Sequence, residues 1–257
     1  MKLLFIIAAA VGFIWVCRLY YSMIRKCYDE DPRDPDQVRA DFWRTKWKVG
    51  EIGFHLPSAH PSLEAHFPKL SPRKIFVPLC GKSPDLEWFL LQGHQVVGVE
   101  LSPLACEAFF QENHRPFTTR TLRDFKIFEG EGISLWCGDF FQLPATATVG
   151  INTIYDRAAL IALPPAMRNR YAEQLKSILR RAESQDFLLF AIAIEFPSEV
   201  LSGPPYPLFE EECKKLFDGF DLKNISRHPD PVLSNHANFQ GKTPPIEAVY
   251  MVRPQRP

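Results

Sequence analysis

One stretch, Lys74 to Ser102, constrains the fold more than any other: KIFVPLCGKSPDLEWFLLQGHQVVGVELS. It opens with the apolar run Ile75 to Cys80, closed by Gly81. Such a run suits a buried parallel strand followed by a tight turn. Ser83-Pro84 then reads as a helix N-cap with proline at the first helical position. Leu86, Phe89 and Leu90 give that helix an apolar face, and Gly93 ends it. Gln95 to Leu101 returns as a second apolar strand with one acid, Glu100, near its carboxyl end. Strand, glycine turn, crossover helix, strand and acid make a βαβ unit. An acid about 20 residues past the turn glycine is the ribose-hydroxyl partner in nucleotide-binding α/β folds, so an adenosine-bearing ligand is expected at Gly81 and Glu100. A lone turn glycine without G-x-G-x-x-G argues against a dinucleotide. The bland alternative is a sheet strand that ends in an exposed glutamate.

The 257 residues allow one large domain, and 46% hydrophobic residues supply its core. Lys+Arg 30 against Asp+Glu 30 leaves no basic excess, so no nucleic-acid partner is expected. Six cysteines are scattered without C-x-x-C spacing, which points to reduced thiols and no metal site. His55, His60 and His66 hold no ligand spacing and read as surface histidines.

From Leu3 to Ile24 the only charge is Arg18, with Trp15, Tyr20 and Tyr21 placed like interfacial aromatics. That length is close to the roughly 20 residues that cross a bilayer. Residues 1–28 are therefore expected to be a membrane anchor, with a signal segment as the rival reading. Arg18, Arg25 and Lys26 downstream favour a cytosol-facing catalytic domain on a single N-terminal transmembrane helix, the alternative being a cytoplasmic protein. Residues 29–40, acidic and proline-containing, read as a stalk, and 41–257 as the domain.

Within the domain, Trp43 and Trp47 share a helix face before Gly50 and Gly53 break the helix ahead of Phe54. They read either as core packing or as a lid over a flat ligand. Leu104 to His114 reads as a helix and Arg115 to Phe125 as a polar connection. Ile133 to Cys137 is a strand closed by Gly138-Asp139, followed by Phe140-Phe141. Asp139 is either a rim acid facing a ligand or an Asx turn. Ile151 to Tyr155 is the next strand and runs into Asp156-Arg157, which either pair with each other or set Arg157 toward the pocket. The helix Ala166 to Ala182, the strand Phe187 to Ile194, the rigid loop Ser202 to Pro207 and the helix Leu208 to Phe217 follow. Leu222 to Ser226 and Ala248 to Val252 are the last strands. The expected fold is α/β: a mostly parallel seven-stranded sheet, helices on both faces and an antiparallel C-terminal edge hairpin.

The runs W-x-x-K-W-x-x-G…G-F-H (Trp43 to His55), V-P-L-C-G-K-S (Val77 to Ser83), G-H-x-V-V-G-V-E-L-S (Gly93 to Ser102) and Y-D-R-A-A-L-I-A-L-P-P (Tyr155 to Pro165) resemble the thiopurine S-methyltransferase family. The resemblance spans Asp41 to Arg253. It implies a Rossmann-like methyltransferase fold that moves a methyl group from S-adenosyl-L-methionine to a small-molecule thiol, thione, selenium or tellurium acceptor, in a monomeric catalytic domain. Carried over by motif, the cofactor-binding positions are Trp43, Trp47, Phe54, Leu79, Gly81, Glu100, Asp139, Phe140 and Arg157. Glu100 takes the ribose hydroxyls, Asp139-Phe140 hold the adenine, and Arg157 lies near the transferring methyl. Phe54, Pro205, Tyr206 and Asn235 are the substrate-side positions, with no obligatory catalytic residue beyond positioning by Phe54 and Arg157. Asn235 stands where family members with thiopurine activity have an arginine, and the glycine before Asp139 is a further departure. The competing reading is a catalytically silent binding module on the same fold.

Overall fold

The computed structural model describes residues 34–71, 73–181, 186–230 and 232–255. The chain divides between Val49 and Gly50 into two compact units. The described part of the first is one helix, α1 (Pro35–Val49), ended by Gly50 at φ 73°. It begins within the stretch read as a stalk. Trp43 and Trp47 are half-buried on it, and Trp43 meets Phe42 edge-on at 5.2 Å.

The second unit carries α2 (Pro61–His66), β1 (Lys74–Pro78), α3 (Pro84–Leu91), β2 (Gln95–Glu100), α4 (Pro103–Glu112), β3 (Phe117–Leu122), β4 (Phe125–Gly130) and β5 (Ile133–Cys137). It continues through β6 (Thr153–Arg157), α5 (Ala159–Ala162), α6 (Pro165–Arg180), β7 (Leu188–Glu195), α7 (Glu210–Leu216), β8 (Phe220–Pro229) and β9 (Ile246–Pro254). The strands form one sheet in the order β3-β4-β5-β2-β1-β6-β7-β9-β8. The run β5-β2-β1-β6-β7 is parallel, and each end is closed by antiparallel pairs. The Lys74–Ser102 unit forms as its pattern requires. Ser83 caps α3 by accepting from Asp85 N, and Leu86 and Phe89 are fully buried against the sheet.

The sheet has nine strands rather than the expected seven. The difference is a hairpin, β3-β4, most of which lies in the segment read as a polar connection. Its first strand, FTTRTL, is exposed along almost its whole length, so no apolar alternation marks it. β-Branched threonines suit an edge strand all the same. A loop of two residues, Arg123 and Asp124, turns the chain, with Arg123 at φ 52°.

The expected membrane anchor at 1–28 lies outside the described residues. Among the described residues no helix is long and apolar enough to cross a membrane.

Candidate cofactor crevice

The strand order reverses at β1, which has β2 on one side and β6 on the other. In open α/β sheets ligands bind beyond the carboxyl ends of strands at such a point. The turns after β1, β2, β5 and β6 therefore set the geometry of the crevice.

After β1 the backbone enters the left-handed region twice, at Leu79 (φ 48°) and Gly81 (φ 55°). For a non-glycine residue such as Leu79 that conformation costs about 1–2 kcal/mol. It is held by the Cys80 amide donating to Val99 O at 3.0 Å and by the tight fit beneath it. A Cβ on Gly98 of β2 would stand 2.7 Å from Cys80 Sγ and 2.6 Å from Leu135 Cδ2. Gly98→Ala is accordingly expected to lower stability by about 2 kcal/mol through overpacking, measured as a fall in the urea midpoint at unchanged m-value.

Glu100 ends β2 and is only 6% exposed. Its Oε2 accepts from Gly81 N at 2.9 Å and its Oε1 from Ser102 N at 2.8 Å. The carboxylate thus locks the β1 turn to the β2 turn. Burial pushes its pKa up, while the amides of Ser102, Gly81 and Leu101 pull it back by stabilising the charged form. The Gly81 amide takes one acceptor site on Oε2 and the Ser102 amide one on Oε1, which leaves acceptor capacity on the carboxylate for a diol. This acceptor fits the ribose diol of an adenosyl group.

Asp139 follows β5 and uses Oδ1 to cap the next turn, accepting from Phe141 N at 2.9 Å. The Asx-turn reading is therefore realised. The Phe140 ring is 1% exposed and packs 4.9 Å from Tyr171 and 6.3 Å from Phe76. It belongs to the core, and its carbonyl accepts from Gln174 Nε2 at 2.6 Å.

After β6, Asp156 and Arg157 part company. Asp156 is fully buried and accepts from Tyr171 Oη at 2.7 Å and Leu160 N at 3.2 Å. Desolvation raises its pKa to about 6. Arg157 instead donates from Nη2 to Phe54 O at 3.1 Å. The pairing of Arg157 with Asp156 considered from the sequence is not the arrangement found. Arg157 fastens the segment that bears Phe54, itself 37% exposed, and His55. Burial lowers the His55 pKa, with the charges of Lys82 and Arg157 adding to the effect.

A buried polar network secures the far end of that segment, and sequence patterning gave no sign of it. Asp85 accepts from His60 N at 2.7 Å and from Tyr155 Oη at 2.9 Å. His60 is not a surface histidine: it is 7% exposed and caps α2, its Nδ1 accepting from Ser62 N at 3.2 Å. A neutral imidazole with an accepting Nδ1 carries its proton on Nε2, which faces Glu247 Oε2 at 3.4 Å. The one cue in the sequence is Asp85 in the first turn of α3, where an acid reads as ordinary helix chemistry.

In the loop that the family resemblance places on the acceptor side, Gly203 sits at φ 77°, and a Cβ there would lie 2.5 Å from the Tyr206 ring. Tyr206 N donates to Ile161 O at 2.7 Å, and Pro205 and Tyr206 are half-buried. Asn235 is exposed in the turn Leu233–Asn235 between β8 and β9. The neighbouring turn meets the segment leading to Gly203 through Asn238 Nδ2 to Val200 O at 3.2 Å and Phe239 on Phe196 at 5.3 Å. Leu79, Gly81, Glu100, Asp139 and Arg157 thus gather at the strand ends. Trp43 and Trp47 belong to the other unit.

Residues 38–253 match the family described as Thiopurine S-methyltransferase. The thiopurine S-methyltransferase of Pseudomonas fluorescens (strain Pf0-1) is 38% identical over 221 residues, 84% of this chain and 99% of its own length. That of Methylococcus capsulatus is 43% identical over 181 residues, 69% of this chain and 80% of its own. Among solved structures, a Burkholderia thailandensis 1,6-didemethyltoxoflavin-N1-methyltransferase with bound S-adenosylhomocysteine superposes with a TM-score of 0.56 at 16% identity, covering 85% of this chain and 88% of that one. Magnesium protoporphyrin IX methyltransferase from Synechocystis PCC 6803 with bound S-adenosylmethionine gives 0.55 at 13% identity, covering 87% and 99%. These two share the fold. Because the Pseudomonas relative is matched over nearly its whole length by part of this chain, and no described helix spans a bilayer, the membrane-anchored localisation is withdrawn. The chain belongs to the thiopurine S-methyltransferase family.

Proposed function

We propose that the turns after β1, β2, β5 and β6 hold S-adenosyl-L-methionine and present it to a thiol, thione or selenol acceptor seated between Arg157, Phe54 and the Gly203–Tyr206 loop. The chain is an S-adenosylmethionine-dependent S-methyltransferase. The observation that carries the site assignment is Glu100, a buried carboxylate clasped by the amides of Gly81 and Ser102 where the strand order reverses. When bound, the cofactor supplies a methyl group on a sulfonium, a leaving group that needs no further activation. The protein's task is then to position and to exclude water. Glu100 receives the ribose hydroxyls. Asp139, with Oδ1 already on Phe141 N, offers its remaining oxygen to the adenine amino group, while the Phe140 ring stays in the core. Arg157 holds the Phe54 carbonyl and sets its positive charge near the acceptor sulfur, favouring the thiolate. Phe54, Pro205 and Tyr206 supply apolar walls for a flat acceptor, with Asn235 at their rim.

The test is a transfer assay with labelled methyl donor over thiopurines, aryl thiols and selenols, with matched phenols and anilines as controls. Sulfur and selenium acceptors are expected to be methylated, and the pH profile of kcat/KM to follow each acceptor's own ionisation. Methylation of the oxygen and nitrogen controls alone, or a profile identical for all acceptors, would sink the reading.

A further inference from the structure

Arg168 on α6 is fully buried, an unusual place for a guanidinium. Its Nε donates to Leu160 O at 3.1 Å and Leu163 O at 3.2 Å. Its Nη1 donates to Glu212 Oε1 at 2.8 Å, and its Nη2 to Tyr206 O at 3.1 Å. Leu160 and Leu163 lie in and just after α5, the short helix that starts two residues past Arg157. Their carbonyls would otherwise be unsatisfied at a buried helix end. Tyr206 belongs to the loop read as the acceptor wall, and its own amide is fixed to Ile161 O at 2.7 Å. Glu212, on α7, supplies the counter-charge that a desolvated guanidinium needs. One planar fork therefore ties together the helix after Arg157, the acceptor loop and α7.

From this arrangement we infer that Arg168 is a positioning residue for the methyl acceptor: it sets the distance between the Arg157 end of α5 and the Tyr206 wall without touching either substrate. The inference rests on the reading of the Gly203–Tyr206 loop given above. It accounts for an arginine at this buried place, because one fork reaches both the helix after Arg157 and the acceptor loop. Lysine has a point charge and cannot serve two backbone carbonyls, a third carbonyl and a carboxylate in one plane.

The experiment uses the full chain and its Arg168→Lys and Glu212→Gln variants, with an aryl thiol as acceptor. Calorimetry with S-adenosylhomocysteine reads the cofactor side, and steady-state kinetics the acceptor side. Arg168→Lys is expected to raise the acceptor KM about tenfold, with the S-adenosylhomocysteine Kd within twofold of wild type. Glu212→Gln keeps the fork and removes only the counter-charge, so a smaller rise in KM is expected, about threefold. It also serves where Arg168→Lys fails to fold. Added guanidinium chloride at millimolar levels is expected to restore KM in an Arg168→Ala variant. An unchanged acceptor KM in folded variants, or Kd and KM rising in parallel, overturns the inference. Wild-type protein that binds no S-adenosylhomocysteine at all would instead overturn the underlying site assignment.

Discussion

Replacing Glu100 with alanine is expected to weaken S-adenosylhomocysteine binding by about 100-fold, roughly 3 kcal/mol. Two charge-assisted hydrogen bonds to a ribose diol contribute about 1.5–3 kcal/mol each, less what water returns to the emptied site. The same change orphans the amides of Gly81 and Ser102, which now donate to the carboxylate at 2.9 Å and 2.8 Å. Buried donors without acceptors are expensive, about 1–3 kcal/mol each before water enters. The variant is therefore expected to lose stability as well as affinity, and the two readouts must be taken together. Glutamine does not separate them, since its amide would set a donor against one of those backbone N–H groups. The decisive comparison is ligand-dependent stabilisation: saturating S-adenosylhomocysteine should raise the melting temperature of the wild type and barely move that of Glu100→Ala. A folded Glu100→Ala protein with a Kd within threefold of wild type would remove Glu100 from the cofactor site.

How much of this was legible in the sequence depends on whether a residue's role is local. The βαβ unit was, because its cues sit within a few residues of one another: the Gly81 turn, the Ser83 cap, the Leu86 and Phe89 stripe, and the acid ending β2. The β3-β4 hairpin was not. Its outer strand faces solvent and has no buried face to leave an apolar period. β8 was shortened in the sequence reading for a similar reason, since its burial alternates only weakly along Phe220–Pro229 and is interrupted by a register shift between Asn224 and Ser226.

At the site, the position of Glu100 could be read from spacing, but its two amide partners could not, because one of them comes from 19 residues away. Phe140 illustrates the opposite limit. Its place in the motif suggested an adenine contact, yet its ring turns into the core beside Tyr171. Asp156 and Arg157 are neighbours in sequence whose side chains go to different partners, as alternation along a strand requires. Arg168 and Glu247 escaped notice and His60 was read as a surface residue, because each gains its role from partners on other elements.

Two of these buried groups are expected to oppose each other in the pH dependence of stability. His60 has its pKa driven from the ordinary 6.5 down to about 4, first by burial and then by the charges of Arg157 and His228 against the pull of Asp85. Between those values the unfolded chain binds more protons than the fold, so stability is full above pH 6.5 and is lost as the pH falls toward 4. Asp156 is the reverse. Burial raises its pKa from the ordinary 3.8 to about 6, against the Tyr171 hydroxyl and the Leu160 and Ala159 amides. There the fold binds more protons, so its contribution is full below pH 3.8 and is lost as the pH rises through 6. Each effect is on the order of 3 kcal/mol and they nearly cancel across the shared window. Glu100, Asp230 and Glu247, all raised by burial, act in the same direction as Asp156, so each variant must be compared with wild type at every pH. His60→Asn keeps an N-cap acceptor for Ser62 and removes the titration. Its stability relative to wild type should rise by about 3 kcal/mol between pH 7 and 4 in urea unfolding. Asp156→Asn should fall relative to wild type by a similar amount over the same range. Parallel curves for all three proteins would mean that neither group titrates differently in the fold, and the burial that defines both would have to be wrong.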